Sequence, residues 1–72
     1  MPYRTRMWQV YRLRGYLVTV IQQWHDPHGQ PMVRVATAGE GDRLAAGMAE
    51  RTFLAAAAFV AEDGVEIVEG AR

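Results

Sequence analysis

DRLAAGMAERTFLAAAAFVAE, residues 42–62, is the longest apolar-periodic stretch of the chain, and its reading decides the fold. At 100° per residue, Leu44, Ala45, Met48, Ala49, Thr52, Phe53, Ala55, Ala56, Phe59 and Val60 fall on one broad arc, the pattern of a helix packed on a core. It predicts one long helix over 42–62, about 30 Å from end to end. Thr37 with Glu40 three positions on has the form of a capping box, and Asp42 after Gly41 is the favoured N-cap. Gly64, behind Glu62 and Asp63, can adopt the left-handed conformation that closes a helix.

The other side of this expected helix carries Arg43, Gly47, Glu50, Arg51, Ala57, Ala58 and Ala61, with Leu54 in their midst. A lone surface leucine needs no explanation. The sharper alternative is an interface at which Gly47, Leu54, Ala58 and Ala61 let a second helix approach, in a homodimer or with a partner.

Before residue 42 the composition turns to strand. MWQVYRL (7–13) and YLVTVIQQW (16–24) are rich in β-branched and aromatic residues, and they predict two strands joined at Arg14-Gly15; a single bent strand through Gly15 is the alternative. Turn-forming residues crowd 25–31 (HDPHGQP), which predicts the loop of a second hairpin, and MVRVA (32–36) is the third strand. VEIVE (65–69) suits a short fourth strand at an edge. The expected fold is therefore α+β, in the order βββαβ: a three-stranded antiparallel sheet plus a short C-terminal strand, packed on one long helix, in a single domain over 1–72.

Seventy-two residues bury little surface, and with no cysteine no disulfide adds support. No apolar run reaches the roughly 18 residues of a membrane span, and the N-terminus lacks the order of a signal peptide, so a soluble cytoplasmic protein is expected. The net charge is zero, but residues 1–36 hold five arginines and one acid while 37–72 hold three arginines and seven acids. The sheet half is basic and the helix half acidic, so each can steer a different partner. All eight basic residues are arginine, which a GC-rich genome explains as readily as selection for bidentate contacts.

Strand alternation sorts these arginines. Arg4, Arg6, Trp8, Val10, Arg12 and Arg14 share one parity, while Met7, Tyr11 and Leu13 share the other and suit the helix side. Val33 and Val35 face inward with Arg34 outward; the middle strand is apolar on both parities and its facing stays open. The free side of the sheet is thus expected to display Arg4, Arg6, Arg12, Arg14 and Arg34 around Trp8.

The chain has no serine, cysteine or lysine, and no recognisable pairing of a hydroxyl with a histidine. Nor do its acids form a pair suited to general acid and base work, so no enzyme is expected, and no cofactor. His25, Asp26 and His28 are of metal-ligating types, but turn geometry accounts for them and nothing completes a closed zinc site, so no metal is expected either.

Trp8-Gln9-Val10, the turn Asp26-Pro27-His28-Gly29, the strand 32–36 and the following helix together resemble the three-stranded DNA-binding arm domains of phage-type integrases, over about two thirds of the chain. That resemblance implies a sheet entering the major groove with Arg12, Arg14 and Arg34; the chain departs from the pattern in lacking lysine, in its acidic helix and in having no catalytic domain attached. The balanced charge favours another class, a small protein-binding module such as the inhibitors that phages and mobile elements direct at host complexes. On this reading the basic face meets an acidic protein surface, with nucleic acid as the alternative partner.

Overall fold

The structure, a computed structural model, describes residues 2–37 and 45–62. Its elements are β1 (Val10–Leu13), β2 (Tyr16–His25), β3 (Pro31–Thr37), β4 (Ala45–Ala49), α1 (Glu50–Ala56) and β5 (Ala58–Ala61). The strands form one antiparallel sheet in the order β4-β3-β2-β1-β5. The α+β class and the first three strands agree with the sequence; the long helix does not.

Both hairpins form where turn chemistry calls for them. Leu13 pairs with Tyr16. The two-residue loop between them has φ of 52° at Arg14 and 84° at Gly15. Positive φ at both positions is the type I′ turn, whose twist matches that of the strands. At the second hairpin His25 pairs with Pro31. There the Asp26 carboxylate accepts the N–H of His28 and of Gln30, each at 2.9 Å. Gly29, at φ 80°, completes the reversal. Pro31 is the first residue of its strand, where the missing N–H does least harm.

The stretch expected as one helix divides into three. Ala45–Ala49 lies along β3, pairing Met48 with Val33 and Ala46 with Val35. Glycine disfavours a helix by about 1 kcal/mol relative to alanine. Gly47 sits within a run of small side chains that leaves the backbone free to serve the unpaired edge of β3. Only Glu50–Ala56 is helical, its preceding residue Ala49 offering no side-chain cap. Ala57 turns extended, with φ −98° and ψ 146°, and Ala58–Ala61 pairs with β1. Asp42, Glu40, Gly64 and the expected strand 65–69 lie outside the described residues.

The helix crosses one face of the sheet, called here the inner face. Tyr11, Val18, Val20, Val33, Val35 and Phe53 form its buried core, joined by Leu13, Met48, Leu54 and Ala57. Tyr11 anchors this layer, meeting the edges of Phe53 at 4.9 Å and Phe59 at 5.6 Å between ring centres. Leu54, expected outside, packs against the core.

Candidate interaction site

Directly paired residues of antiparallel strands share a face, so the register builds the outer face rung by rung. Arg12 stands opposite Leu17, and Thr19 opposite Ala36. Beyond them β2 carries a bulge: Val20 pairs with Val35 but Gln22 with Arg34, leaving Ile21 as the extra residue. A bulge inverts the alternation that follows it. Leu17 and Thr19 face outward before it; Gln22 and Trp24 do so after it, beside Arg34 and Met32. Trp24 lies over Gly47, where an added Cβ would sit 3.2 Å from the Trp24 ring. The result is a face on which half-buried Leu17 stands beside exposed Arg12, and half-buried Trp24 and Met32 lie just beyond exposed Arg34. Arg12 and Arg34 are five β2 positions apart by register, about 16 Å along the strands.

The remaining residues expected on this face are elsewhere. Arg4 and Arg6 belong to the segment before β1, with exposed side chains and engaged backbones: the Arg4 N–H donates to Glu50 Oε1 and the Arg6 N–H to Gln9 Oε1, each at 2.8 Å. Trp8 has φ 71°, which interrupts the alternation on which the expected face depended, and it is 56% exposed. Arg14 stands in the first turn. Val10 pairs with Thr19 and so lies on the free side as expected, though fully buried there, while Met7, assigned to the helix side, is exposed ahead of the strand. One basic face is therefore replaced by arginines in three places: Arg12 and Arg34, well apart on the outer face, Arg4 and Arg6 in the segment before β1, and Arg14 in the first turn. The expected helix interface is likewise dispersed, with Gly47 on β4, Leu54 on α1, and Ala58 and Ala61 on β5.

A polar network fastens the N-terminal segment to the inner face. Glu50, 2% exposed, accepts the Arg4 N–H at 2.8 Å, the Thr5 N–H at 3.0 Å and the Thr5 hydroxyl at 2.6 Å. Gln23 donates its amide to both Thr5 oxygens at 2.9 Å. Burial pushes the Glu50 carboxyl up, but these hydrogen bonds and the nearby Arg4 charge outweigh it and hold the group below its ordinary value. A second buried amide, Gln9, accepts from the Tyr11 hydroxyl at 3.0 Å and donates to Glu62 at 3.1 Å. Burial, with Glu50 and Glu62 adding to it, raises the Tyr11 pKa. Every donor and acceptor here is satisfied by a neighbour, the arrangement of a structural clasp.

The histidine loop is also occupied by its own geometry. Asp26 is held below the usual carboxylate range, chiefly by the Gln30 N–H and against the effect of burial. His25 stacks on Tyr3 at 4.6 Å, with the Tyr3 hydroxyl 3.2 Å from Nδ1. Among the described residues no three metal-ligating side chains gather. Nor is any described helix long and apolar enough to cross a membrane.

Helix α1 covers only part of the inner face. It runs from the end of β4 toward β5, about 10 Å for seven residues, and among the described residues nothing covers the corner beside the first hairpin. A cavity of about 180 Å³ remains there, lined by Leu13, Val18, Val35, Ala46 and Met48, with Arg14, Tyr16, Thr37 and Ala45 also at its wall. The chain matches no protein family, no curated protein and no solved structure.

Sequence reasoning missed Trp24 as an outer-face residue. Its direction depends on the bulge at Ile21, and no glycine or proline in 16–24 signals that irregularity.

Proposed function

We propose that this chain is a small, non-enzymatic protein-binding module, of the kind by which phages or mobile elements inhibit host complexes, and that its outer sheet face meets an acidic protein surface. The observation that carries this reading is the character of that face. Half-buried Trp24 and Met32 stand beside exposed Arg34, and half-buried Leu17 beside exposed Arg12, while the helix and the N-terminal segment occupy the other side. Aromatic residues, methionine and arginine are the types enriched where proteins meet. The absence of serine, cysteine and lysine from the chain, and the full engagement of its buried polar groups in structural bonds, support a binding role over a catalytic one.

Nucleic acid is the alternative partner, by way of the arginine-rich sheet. The dispersal of those arginines over three places and the zero net charge weigh against it, since phosphate binding relies on gathered positive charge. Affinity capture from host lysate, with and without nuclease, separates the two. Nuclease-resistant capture that is lost when Arg12 and Arg34 are both changed to glutamate is expected. Undiminished capture by that variant would remove the outer face from consideration. Nuclease-sensitive capture, with direct binding to purified DNA or RNA that weakens steeply with salt, would reverse the choice of partner.

A further inference from the structure

We propose that the bare corner of the inner face is an anchor pocket for one leucine- or phenylalanine-sized side chain of an acidic peptide segment, whose neighbouring carboxylate pairs with Arg14. The inference rests on the protein-binding reading and adds a second, separate contact to it.

Size comes first. A cavity of about 150 Å³ lined by apolar side chains accepts benzene. The present one, at about 180 Å³, is floored by Leu13, Val18, Val35, Ala46 and Met48 and so takes a single ring or branched aliphatic group. Its shape follows from the fold: α1 is too short to cover the corner, and β4 supplies alanine at Ala45 and Ala46 where larger side chains would fill it.

Charge comes second. Among the described residues lining the cavity Arg14 is the one ionisable cation, and none is an acid. Among the described residues none engages the Arg14 guanidinium in a hydrogen bond or ion pair. Its backbone is held at φ 52°, in a turn position that favours asparagine, aspartate or glycine. The type I′ turn requires this conformation, which asparagine or glycine would adopt with less strain than arginine. Beside it Tyr16 leaves 64% of its surface exposed, offering an aromatic wall and a hydroxyl to a bound backbone.

The test is methyl NMR on the full chain, following Val18, Val35 and Met48 during titration with acetyl-Asp-Phe-Asp-amide. Saturable shifts confined to these methyls are expected. Replacing the peptide's phenylalanine by alanine should weaken binding about tenfold or more, as loss of a buried ring does. Replacing its aspartates by asparagine should weaken it about two- to fivefold, the range of an exposed ion pair. Arg14→Asn, which suits the turn, should remove that preference for aspartate while leaving the asparagine peptide unaffected. Ala46→Leu should abolish binding by filling the floor. No methyl shifts up to the peptide's solubility, shifts centred elsewhere, or equal affinity of both peptides for the native chain would each overturn the proposal. So would free 3-phenylpropionate binding as tightly as the peptide, which would make this a small-molecule carboxylate site. The two readings fail separately: a lysate protein captured equally by the native chain, Arg14→Asn and Ala46→Leu would refute the pocket alone. Saturable peptide binding without any captured protein would support the pocket and remove the protein-binding reading of the outer face.

Discussion

Glu50→Gln is expected to cost about 2–4 kcal/mol of folding stability at pH 7. The carboxylate is 2% exposed and accepts three bonds of 2.6–3.0 Å, two at Oε2 from Thr5 and one at Oε1 from Arg4. A glutamine keeps one acceptor. Turned toward Thr5, it retains two bonds in weaker neutral form and sets its own N–H₂ against the Arg4 N–H. A hydrogen bond to a charged partner contributes about 1.5–3 kcal/mol, and an orphaned buried donor costs about 1–3. Against a total stability of about 5–15 kcal/mol this is a large fraction. Urea unfolding followed by circular dichroism measures it, and pH supplies the decisive control. Because folding lowers the Glu50 pKa, its contribution is complete above the ordinary unfolded value of about 4.3. It is then lost as pH falls through the folded value. The native chain should lose stability over that window, and the gap to the variant should close. Asp26, also shifted down, titrates in both chains and cancels in the difference. A variant within about 0.5 kcal/mol of native at pH 7, below any term above, would refute the clasp. A gap as wide at pH 2.5 as at pH 7 would show that charge has no part in it. Should Glu50→Gln not fold, Thr5→Val, which deletes the hydroxyl and keeps the N–H, is expected to lose about 1–2 kcal/mol.

Leu54→Glu should destabilise the monomer by about 2 kcal/mol in urea unfolding, because Leu54 packs on the core; a changed mass in solution with unchanged stability would contradict that packing. Gly15→Ala is expected to cost about 1–2 kcal/mol, since its φ of 84° penalises a Cβ, while Arg14→Gly should be neutral or stabilising by thermal melt. Gly47→Val should displace the Trp24 ring, against which even a methyl would stand at 3.2 Å. A shift in tryptophan emission, read in a Trp8→Phe background, reports it. Phe53→Ala, which empties the centre of the core, should lose about 3–5 kcal/mol and leave the chain largely unfolded.

Local chemistry made the hairpins legible. Arg14-Gly15 and the Asp26–Gly29 stretch specify turns through residues that act within a few positions of themselves, and the alternation of Val33, Arg34 and Val35 survives because nothing interrupts β3. The helix was misread because alanine satisfies two periods at once. Ala45, Ala49, Ala55 and Ala56 count as apolar on a helical arc yet bury too little area to enforce it, so what decides 45–49 is the unpaired edge of β3, a tertiary demand with no local signature. Phe59 and Val60 did carry a strand-type signal, outweighed in the helical reading by the alanines around them.

The arginine surface failed for a different reason, and the same reason locates the surface that replaces it. Parity assigned Arg4, Arg6, Trp8, Val10, Arg12 and Arg14 to one side on the premise of an unbroken strand; a single residue with positive φ, Trp8, ends that premise for the residues before β1, while Val10 and Arg12 keep the expected side. In β2 the extra residue at Ile21 works in the opposite sense. Were Ile21 paired in regular alternation, Gln23 would face outward and Trp24 inward, where Thr5 and Glu50 would lose the amide that joins them to the sheet. With Ile21 as the extra residue, one backbone irregularity points Gln23 into the clasp and Trp24 out beside Arg34. Deleting Ile21 should therefore straighten β2 yet keep the pairs Gln22 with Arg34, Gln23 with Val33 and Trp24 with Met32, so that Gln23 stays in the clasp and Trp24 stays outward. An Ile21 deletion that buries the Trp24 indole, as its emission would report, and loses the clasp's stability would show that Ile21 is not the extra residue and would refute this reading of the register.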